Sequence, residues 1–410
     1  MDHYDVVIVG AGPAGCSAAL AAASSVRPLA GAREGSGCPG RVLLLERHPK
    51  IGLPVQCAEY VPVQLRRCVP WSPDVVGQEI WVMHTHLPDG EVVETPAAGY
   101  VIHRDRFDQG LAAAARRAGA EIRVGTRALE LTDDGLVVRQ GRRELEIGAQ
   151  IIVGADGPHS TVRSWLAAPD GSAVSAASEP PRVSVAQGER SGSHNASLKR
   201  PQGLRETSAG DLMVGAAQCR VQLRRPMEAT QVIFDPFYVG GYGWVFPKGD
   251  VANVGVGVCR AGRGPSPAEA LEHLLDRVDV RPADVIGRSG GAIPCGGPPP
   301  RTCGGKIILV GDAAGQTHPI TGAGVANACL CGQMAGRAAA RAALCGDPAA
   351  LEQYEREWRG YLGGVLAHAV TKRRMLSRGW TQNPTALSAL LRRTWVAFPA
   401  YGRRTGSSPP

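Results

Sequence analysis

Apolar residues recur along this chain in short unbroken runs. YDVVIV (4–9), RVLLLE (41–46), AQIIVGADG (149–157) and KIILVGDAAG (306–315) are continuous rather than alternating, and each ends in a glycine turn or an acidic residue. Continuous hydrophobicity over four to eight residues marks a strand covered on both faces. Between the first two runs, Ala14 to Ala23 is almost all alanine with small neighbours, a helix suited to close packing on a sheet. RFDQGLAAAARRAGAEIRVG (106–125) reads as a helix ending near Gly119, then a strand. Strands alternating with helices predict a parallel α/β sheet.

The pattern then changes. RVQLRR, TQVIFDPFYV, YGWVFPKG and ANVGVGV alternate apolar and polar or small positions, which predicts an antiparallel sheet. Residues 268–279 read as a helix, helices fill most of 324–395, and GRRTGSSPP is a loose tail. Residues 27–40, rich in Gly, Pro and Arg, form a loop, and 167–210, dense in Ser, Pro, Gly and Ala, read as a long, partly disordered insertion. The expected organisation is a nucleotide-binding domain over 1–166, with strands of the second sheet already at 60–103. The insertion follows, then an antiparallel sheet over 211–300. The first domain returns over 301–345, and 346–410 is helical with a basic tail.

Composition narrows the setting. The 410 residues are 44% hydrophobic and 20% charged, ordinary for a soluble globular protein. No apolar run spans a bilayer and the start, MDHYDVVIVG, lacks a signal-peptide pattern, so a cytoplasmic protein is expected. Eleven cysteines without regular spacing fit a reducing compartment, and Cys295, Cys303, Cys329 and Cys331 make no zinc or iron–sulfur pattern. The net charge of +8 is concentrated at the end: after Glu357 come only basic residues, among them Arg373, Arg374, Arg378, Arg392 and Arg393, interleaved with Trp380, Leu387, Leu391 and Trp395. That mixture suits peripheral contact with an anionic membrane surface, or a solvated helix packed by its apolar face. Nucleic acid is not expected, because no recognition motif accompanies the charge.

Two motifs carry the chemistry. In GAGPAG, Gly10 permits a tight turn, Gly12 lets backbone approach a pyrophosphate, and Gly15 allows close helix–strand packing. The helix that follows offers free N–H groups and a positive dipole end. Glu46 closes the second strand with a carboxylate for a ribose diol, with Arg47 beside it as a further cofactor-binding candidate. In VGDAAGQTHPITGAGVANA (310–328), Asp312 ends a strand, and Gly322 and Gly324 lead into a helix. A carboxylate for a ribityl chain and a helix N-terminus for a reduced ring favour FAD over NAD.

With HRDRFD at 103–108 and the ADG turn at 155–157, these motifs resemble FAD-dependent oxidoreductases of the hydroxybenzoate-hydroxylase type. IGLPVQCAEYVP and GYGWVFPKGDVANVGVGV (241–258) narrow the resemblance to the geranylgeranyl reductase family, over about residues 4–370 with breaks at 27–40 and 167–210. The fold class implied is α/β: a Rossmann-type FAD-binding domain with a parallel sheet, an interleaved antiparallel-sheet substrate domain and C-terminal helices. The resemblance implies FAD contacts from Ala14, Glu46, Cys57, Ala58, Tyr60, Arg104, Ala128, Asp312, Gly324 and Val325. A guanidinium at Arg104 suits a pyrophosphate, and Asp156 is either a support for the cofactor groove or a plain turn aspartate. The sequence departs from the family at Tyr60, where glycine is usual after C-A-E, which puts substrate shape in question.

The resemblance implies that reduced FAD saturates double bonds of an isoprenoid lipid or polyprenyl chain, the flavin being reduced by NAD(P)H or a ferredoxin. Cys57 and Glu59 are then the catalytic candidates, as sources of the proton that accompanies hydride, with an ordered water as the other source. Cys57 equally suits a small buried thiol, and Glu59 a salt-bridged loop carboxylate. Tyr242, Trp244 and Phe246 share one strand face and are candidates for substrate binding, or for the core of the sheet. Two other functions use the same motifs: an FAD-dependent monooxygenase or halogenase, and a flavin electron-transfer protein.

Overall fold

A computed structural model of the chain describes residues 1–26, 40–167, 212–259 and 264–402. The insertion expected at 167–210 and most of the 27–40 loop and of the tail lie outside the described residues. In chain order the N-terminal half runs β1 (Asp2–Val9), α1 (Pro13–Val26), β2 (Val42–Leu45), β3 (Tyr60–Pro62), β4 (Val76–His86), β5 (Val92–Ile102), α2 (Arg104–Ala118), β6 (Glu121–Arg123), β7 (Thr126–Leu131), β8 (Gly135–Gln140), β9 (Arg143–Gly154) and α3 (Thr161–Ala167). There follow β10 (Met213–Gln222), β11 (Thr230–Ile233), β12 (Tyr242–Lys248), β13 (Val251–Cys259), α4 (Pro267–Arg277), β14 (Val285–Pro294), β15 (Cys303–Gly304) and β16 (Ile307–Leu309). The chain closes with α5 (Val325–Cys345), α6 (Ala349–Trp358), α7 (Gly364–Gly379) and α8 (Pro384–Thr394).

The strands form two eight-stranded sheets. In the first, β16, β9, β1, β2 and β6 pair in parallel, in that order, and β15 and the β7–β8 hairpin add antiparallel partners. Its apolar runs are covered on both sides: Val7, Ile8, Leu43, Leu44 and Val153 are fully buried. The tight face belongs to α1 and α5. A β-carbon on Gly332 would lie 2.4 Å from the Ala14 carbonyl, and one on Gly336 2.2 Å from the Ala18 carbonyl, so two glycines four apart let the helix backbones touch. This pair of glycines went unremarked in the sequence; their small-xxx-small spacing was the available signal.

The second sheet runs β14-β10-β13-β12-β11-β4-β5-β3. Every pairing is antiparallel except β11 with β4, which is parallel. The strands expected to be antiparallel, β10 to β13, pair so among themselves, and the parallel pairing joins them to β4, from the 60–103 segment. One face of this sheet packs on α4 through Leu271, Leu274 and Leu275. The other meets the C-terminal helices: Leu376, Leu387, Leu391 and Trp395 share a buried cluster with Val232, Phe234, Trp244 and Phe246. The apolar residues interleaved with the terminal arginines therefore face protein, while Arg374, Arg378 and Arg393 stay at the surface. Among the described residues no helix is long and apolar enough to cross a membrane.

Candidate active site

The glycine turn after β1 is built by close approach. Gly10 has φ 101°, and a β-carbon there would lie 2.4 Å from the Ala155 carbonyl; on Gly15 it would lie 1.8 Å from the Gly10 carbonyl. Gly12 is different, since a β-carbon there would meet nothing within 4 Å. That open side of the turn is where a phosphate fits. Glu46, at the end of β2, ties itself to this turn: Oε2 accepts the Ala11 N–H at 2.9 Å, and Oε1 accepts the His48 backbone N–H at 2.9 Å. Arg47 next to it is exposed, and Ala128 is buried in β7.

The second motif meets the first. Ala14 lies under Gly311, where a β-carbon would come within 2.9 Å of the Ala14 methyl. Asp312 follows, with Oδ1 accepting from the Thr317 hydroxyl and Oδ2 without a partner among the described residues. Burial pushes the Asp312 carboxyl above the usual range, against the pull of Thr317 and Arg104. Gly324 starts α5 with no side-chain cap, leaving its first N–H groups and those of Val325 for a ligand. The open Gly12, the free Asp312 oxygen and the uncapped helix make a donor and acceptor set that fits FAD.

Asp156 turns elsewhere. Its Oδ1 accepts from the Ser160 hydroxyl, and its Oδ2 from the N–H groups of Thr161 and Val162 at 2.7 and 3.2 Å. It caps the start of α3, which is the turn-aspartate role of its two readings.

The segment Cys57–Tyr60 joins the two domains. The Cys57 carbonyl accepts from Gln218 Nε2 of β10 at 2.9 Å, and the Ala58 carbonyl from Asn253 Nδ2 of β13 at 3.2 Å. The half-buried Cys57 Sγ accepts the Glu59 N–H at 3.2 Å. The Arg104 guanidinium also lies against this thiol, while Asp108 grips it with two bonds of 3.2 and 2.9 Å. Burial alone would lower the Arg104 pKa, but Asp108 and Cys57 outweigh it and push it up. Arg104 thus points its Nε and one terminal nitrogen at Asp108.

Glu59 is fully buried. Oε2 accepts from Lys248 Nζ at 2.7 Å and Asn253 Nδ2 at 2.8 Å, with Arg220 at 3.5 Å, and Oε1 accepts the Arg104 N–H at 2.9 Å. Burial lowers the Lys248 pKa, against the raising effect of this carboxylate. Glu59 also has φ 72°, a region few non-glycine residues occupy, and its four partners hold it there. Both oxygens are committed to protein donors, so the arrangement is that of a positioning carboxylate rather than the proton source considered above. Lys248, Asn253 and Arg104 as its partners were missed by sequence reasoning.

Next to this segment stands an aromatic face. The Tyr60 ring centroid is 5.9 Å from that of Phe246, and the hydroxyl donates to the Ala97 carbonyl at 3.0 Å. Gly99 makes room for that ring, since its β-carbon would come 2.7 Å from the Tyr60 hydroxyl. In the register Trp244 pairs with Gly255 and Tyr242 with Gly257. A β-carbon on Gly255 would lie 2.3 Å from Trp244 Cζ2 and 2.5 Å from Gln218 Cβ, so the indole lies flat across that glycine. Tyr242 donates to the Thr321 carbonyl at 2.6 Å, which fastens β12 to the loop before α5.

Known proteins resemble this chain over most of its length. The FAD binding domain family matches residues 75–179. A digeranylgeranylglycerophospholipid reductase of Methanococcoides burtonii is 33% identical over 392 residues, covering 90% of this chain and 83% of the relative. One from Methanopyrus kandleri is 35% identical over 373 residues, covering 87% and 86%. Among solved structures, a geranylgeranyl bacteriochlorophyll reductase-like protein from Thermoplasma acidophilum superposes with TM-score 0.70 at 22% identity, over 96% of this chain and 97% of that one. A flavin-dependent brominase superposes with TM-score 0.63 at 16% identity, over 98% and 95%, a likeness of fold alone.

Proposed function

This chain belongs to the digeranylgeranylglycerophospholipid reductase family, and we propose that it saturates carbon–carbon double bonds of a polyprenyl glycerophospholipid, using FAD held by its two glycine motifs. When bound in reduced form, FAD supplies the hydride. Gly10, Gly12, Gly15, Glu46, Asp312, Gly324 and Val325 would hold it, and NAD(P)H or a ferredoxin would be the source of its electrons. The observation that carries the reading is that one segment, Cys57–Tyr60, is bonded both to the start of α2 and to the sheet that bears Tyr60, Trp244 and Phe246.

Cys57 is the proton donor in this reading. Its S–H gives a proton to the alkene carbon that does not receive hydride, and the thiolate left behind keeps the Glu59 N–H and gains the Arg104 guanidinium as partners. Solvent then returns the proton to sulfur. Glu59, anchored by Lys248 and Asn253, fixes the backbone that presents Cys57. The Trp244, Phe246 and Tyr60 rings exclude water around an apolar chain. Arg374, Arg378 and Arg393 at the surface support contact with an anionic membrane from which such a lipid is drawn.

The test is anaerobic turnover of a geranylgeranyl glycerophospholipid with chemically reduced holoprotein, followed by mass spectrometry. The expected product gains two hydrogens for each double bond reduced. A product bearing oxygen or halogen under air, with no gain of hydrogen under anaerobic conditions, overturns the assignment in favour of the monooxygenase or halogenase chemistry of the same fold.

A further inference from the structure

A small cavity of about 10 Å³ lies between β12 and the C-terminal helices. Phe234, Leu376 and Leu391 are among its apolar walls, and Arg373, Thr394 and Trp395 also line it. Arg373 is 3% exposed and Trp395 is 3% exposed. Both keep a buried N–H without any acceptor: Nε of Arg373 and Nε1 of Trp395. The guanidinium's hydrogen-bond partner is the Cys259 sulfur, 2.8 Å from its other end, and among the described residues no carboxylate pairs with it. Lys248 and Arg104 have carboxylates in contact, whereas the buried Lys372 ammonium is held by the Arg393 and Ala400 carbonyls. A buried arginine is always charged, and leaving such a charge uncompensated is costly. The two orphan groups at the site are both donors, one of them on a cation, in a largely apolar wall.

We propose that this cavity receives an oxygen of a phosphate group, and that the phosphate is the one carried by the prenyl substrate; the inference rests on the reading of the chain as a prenyl-lipid reductase. The cavity has room for about one atom of oxygen size, so the phosphate enters by a single oxygen. An acceptor-only anion supplies an acceptor for these orphan donors and a counter-charge for the guanidinium, where a water supplies only the first. Tyr242 lines the cavity and is bonded to the loop that precedes α5, so the anion site stands beside the cofactor motif.

Calorimetric titration of oxidised holoprotein with geranylgeranyl phosphate, geranylgeraniol and inorganic phosphate tests this. Wild type is expected to bind the prenyl phosphate about 10- to 100-fold more tightly than the alcohol, the range of a charged hydrogen bond. Arg373→Met should erase that preference and leave geranylgeraniol affinity within about twofold, the spread of repeated titrations being far below the tenfold step. Trp395→Phe, which keeps an aromatic ring but removes the N–H, should reduce the preference about threefold to tenfold and carries the test should the arginine variant not fold. A preference that survives both substitutions, or is absent from wild type, overturns the proposal alone. Failure of wild type to bind either prenyl compound overturns the prenyl reading with it. Tight binding of inorganic phosphate that depends on Arg373 and is not displaced by geranylgeranyl phosphate assigns the site to the free ion, against the substrate.

Discussion

Glu59→Gln separates a positioning role from a catalytic one. The amide keeps the side chain's shape but removes the charge that faces Lys248 Nζ at 2.7 Å, with side-chain exposures of 2% and 0%. Removing one partner of a buried ion pair costs about 3–5 kcal/mol, mostly because the remaining charge is stranded. Arg220 adds little to that figure, since its side chain is 41% exposed and stands 3.5 Å away. Lys248 can shed its proton to limit the loss, and burial already lowers its pKa, so the penalty should shrink toward alkaline pH. Lys248→Met strands Glu59 instead and should cost a similar amount. In the double variant no stranded charge remains, and it should recover at least about half of the summed loss. The assay is urea unfolding of the holoproteins, with kcat measured across pH below the unfolding range. The expected result is a lower urea midpoint for each single variant, a kcat within about threefold of wild type, far less than the 10²-fold loss expected of a deleted general acid, and an unshifted pH profile. A Glu59→Gln protein as stable as wild type but slowed a hundredfold or more refutes the reasoning and makes Glu59 a carrier of protons.

Three further outcomes follow from the site. Cys57→Ser should keep the visible absorbance of bound FAD while slowing alkene reduction about 10²-fold or more, and unchanged turnover removes the thiol from the mechanism. Gly255→Ala puts a methyl 2.3 Å from Trp244 Cζ2, so it should cost about 1–3 kcal/mol, alter near-ultraviolet dichroism and raise KM for the prenyl substrate; an unaltered spectrum shows that the indole does not lie on that glycine. His318, bonded through Nδ1 to Thr321 and through Nε2 to Tyr401, has its pKa lowered from 6.5 to about 4, by burial first and by His368 second. The folded ring stays neutral where the unfolded one charges, so stability should fall by up to about 3 kcal/mol as pH drops from 6.5 to about 4, and His318→Asn should flatten that part of the stability–pH curve.

Much of this architecture can be read along the chain because it rests on short-range patterns. Continuous apolar runs gave β1, β2 and β9, and strand–turn–helix order placed Gly10, Gly12, Glu46 and Asp312 where their backbones demand them. What stayed hidden depends on pairings that no window contains. Lys248 meets Glu59 across 189 residues, and nothing around Glu59 in the sequence names Lys248 as its partner. The C-terminal region shows the limit in another form. An amphipathic basic helix has the same period whether its apolar stripe meets lipid or a sheet, and here Leu387, Leu391 and Trp395 meet Phe234 and Trp244. The alternating glycines of ANVGVGV are legible as a strand, but their purpose is not, since it is the register of β12 on β13 that lays Trp244 over Gly255. Shape in this site is therefore set from the neighbouring strand: the tryptophan is visible in the sequence, and the absence of a methyl opposite it decides where the ring lies.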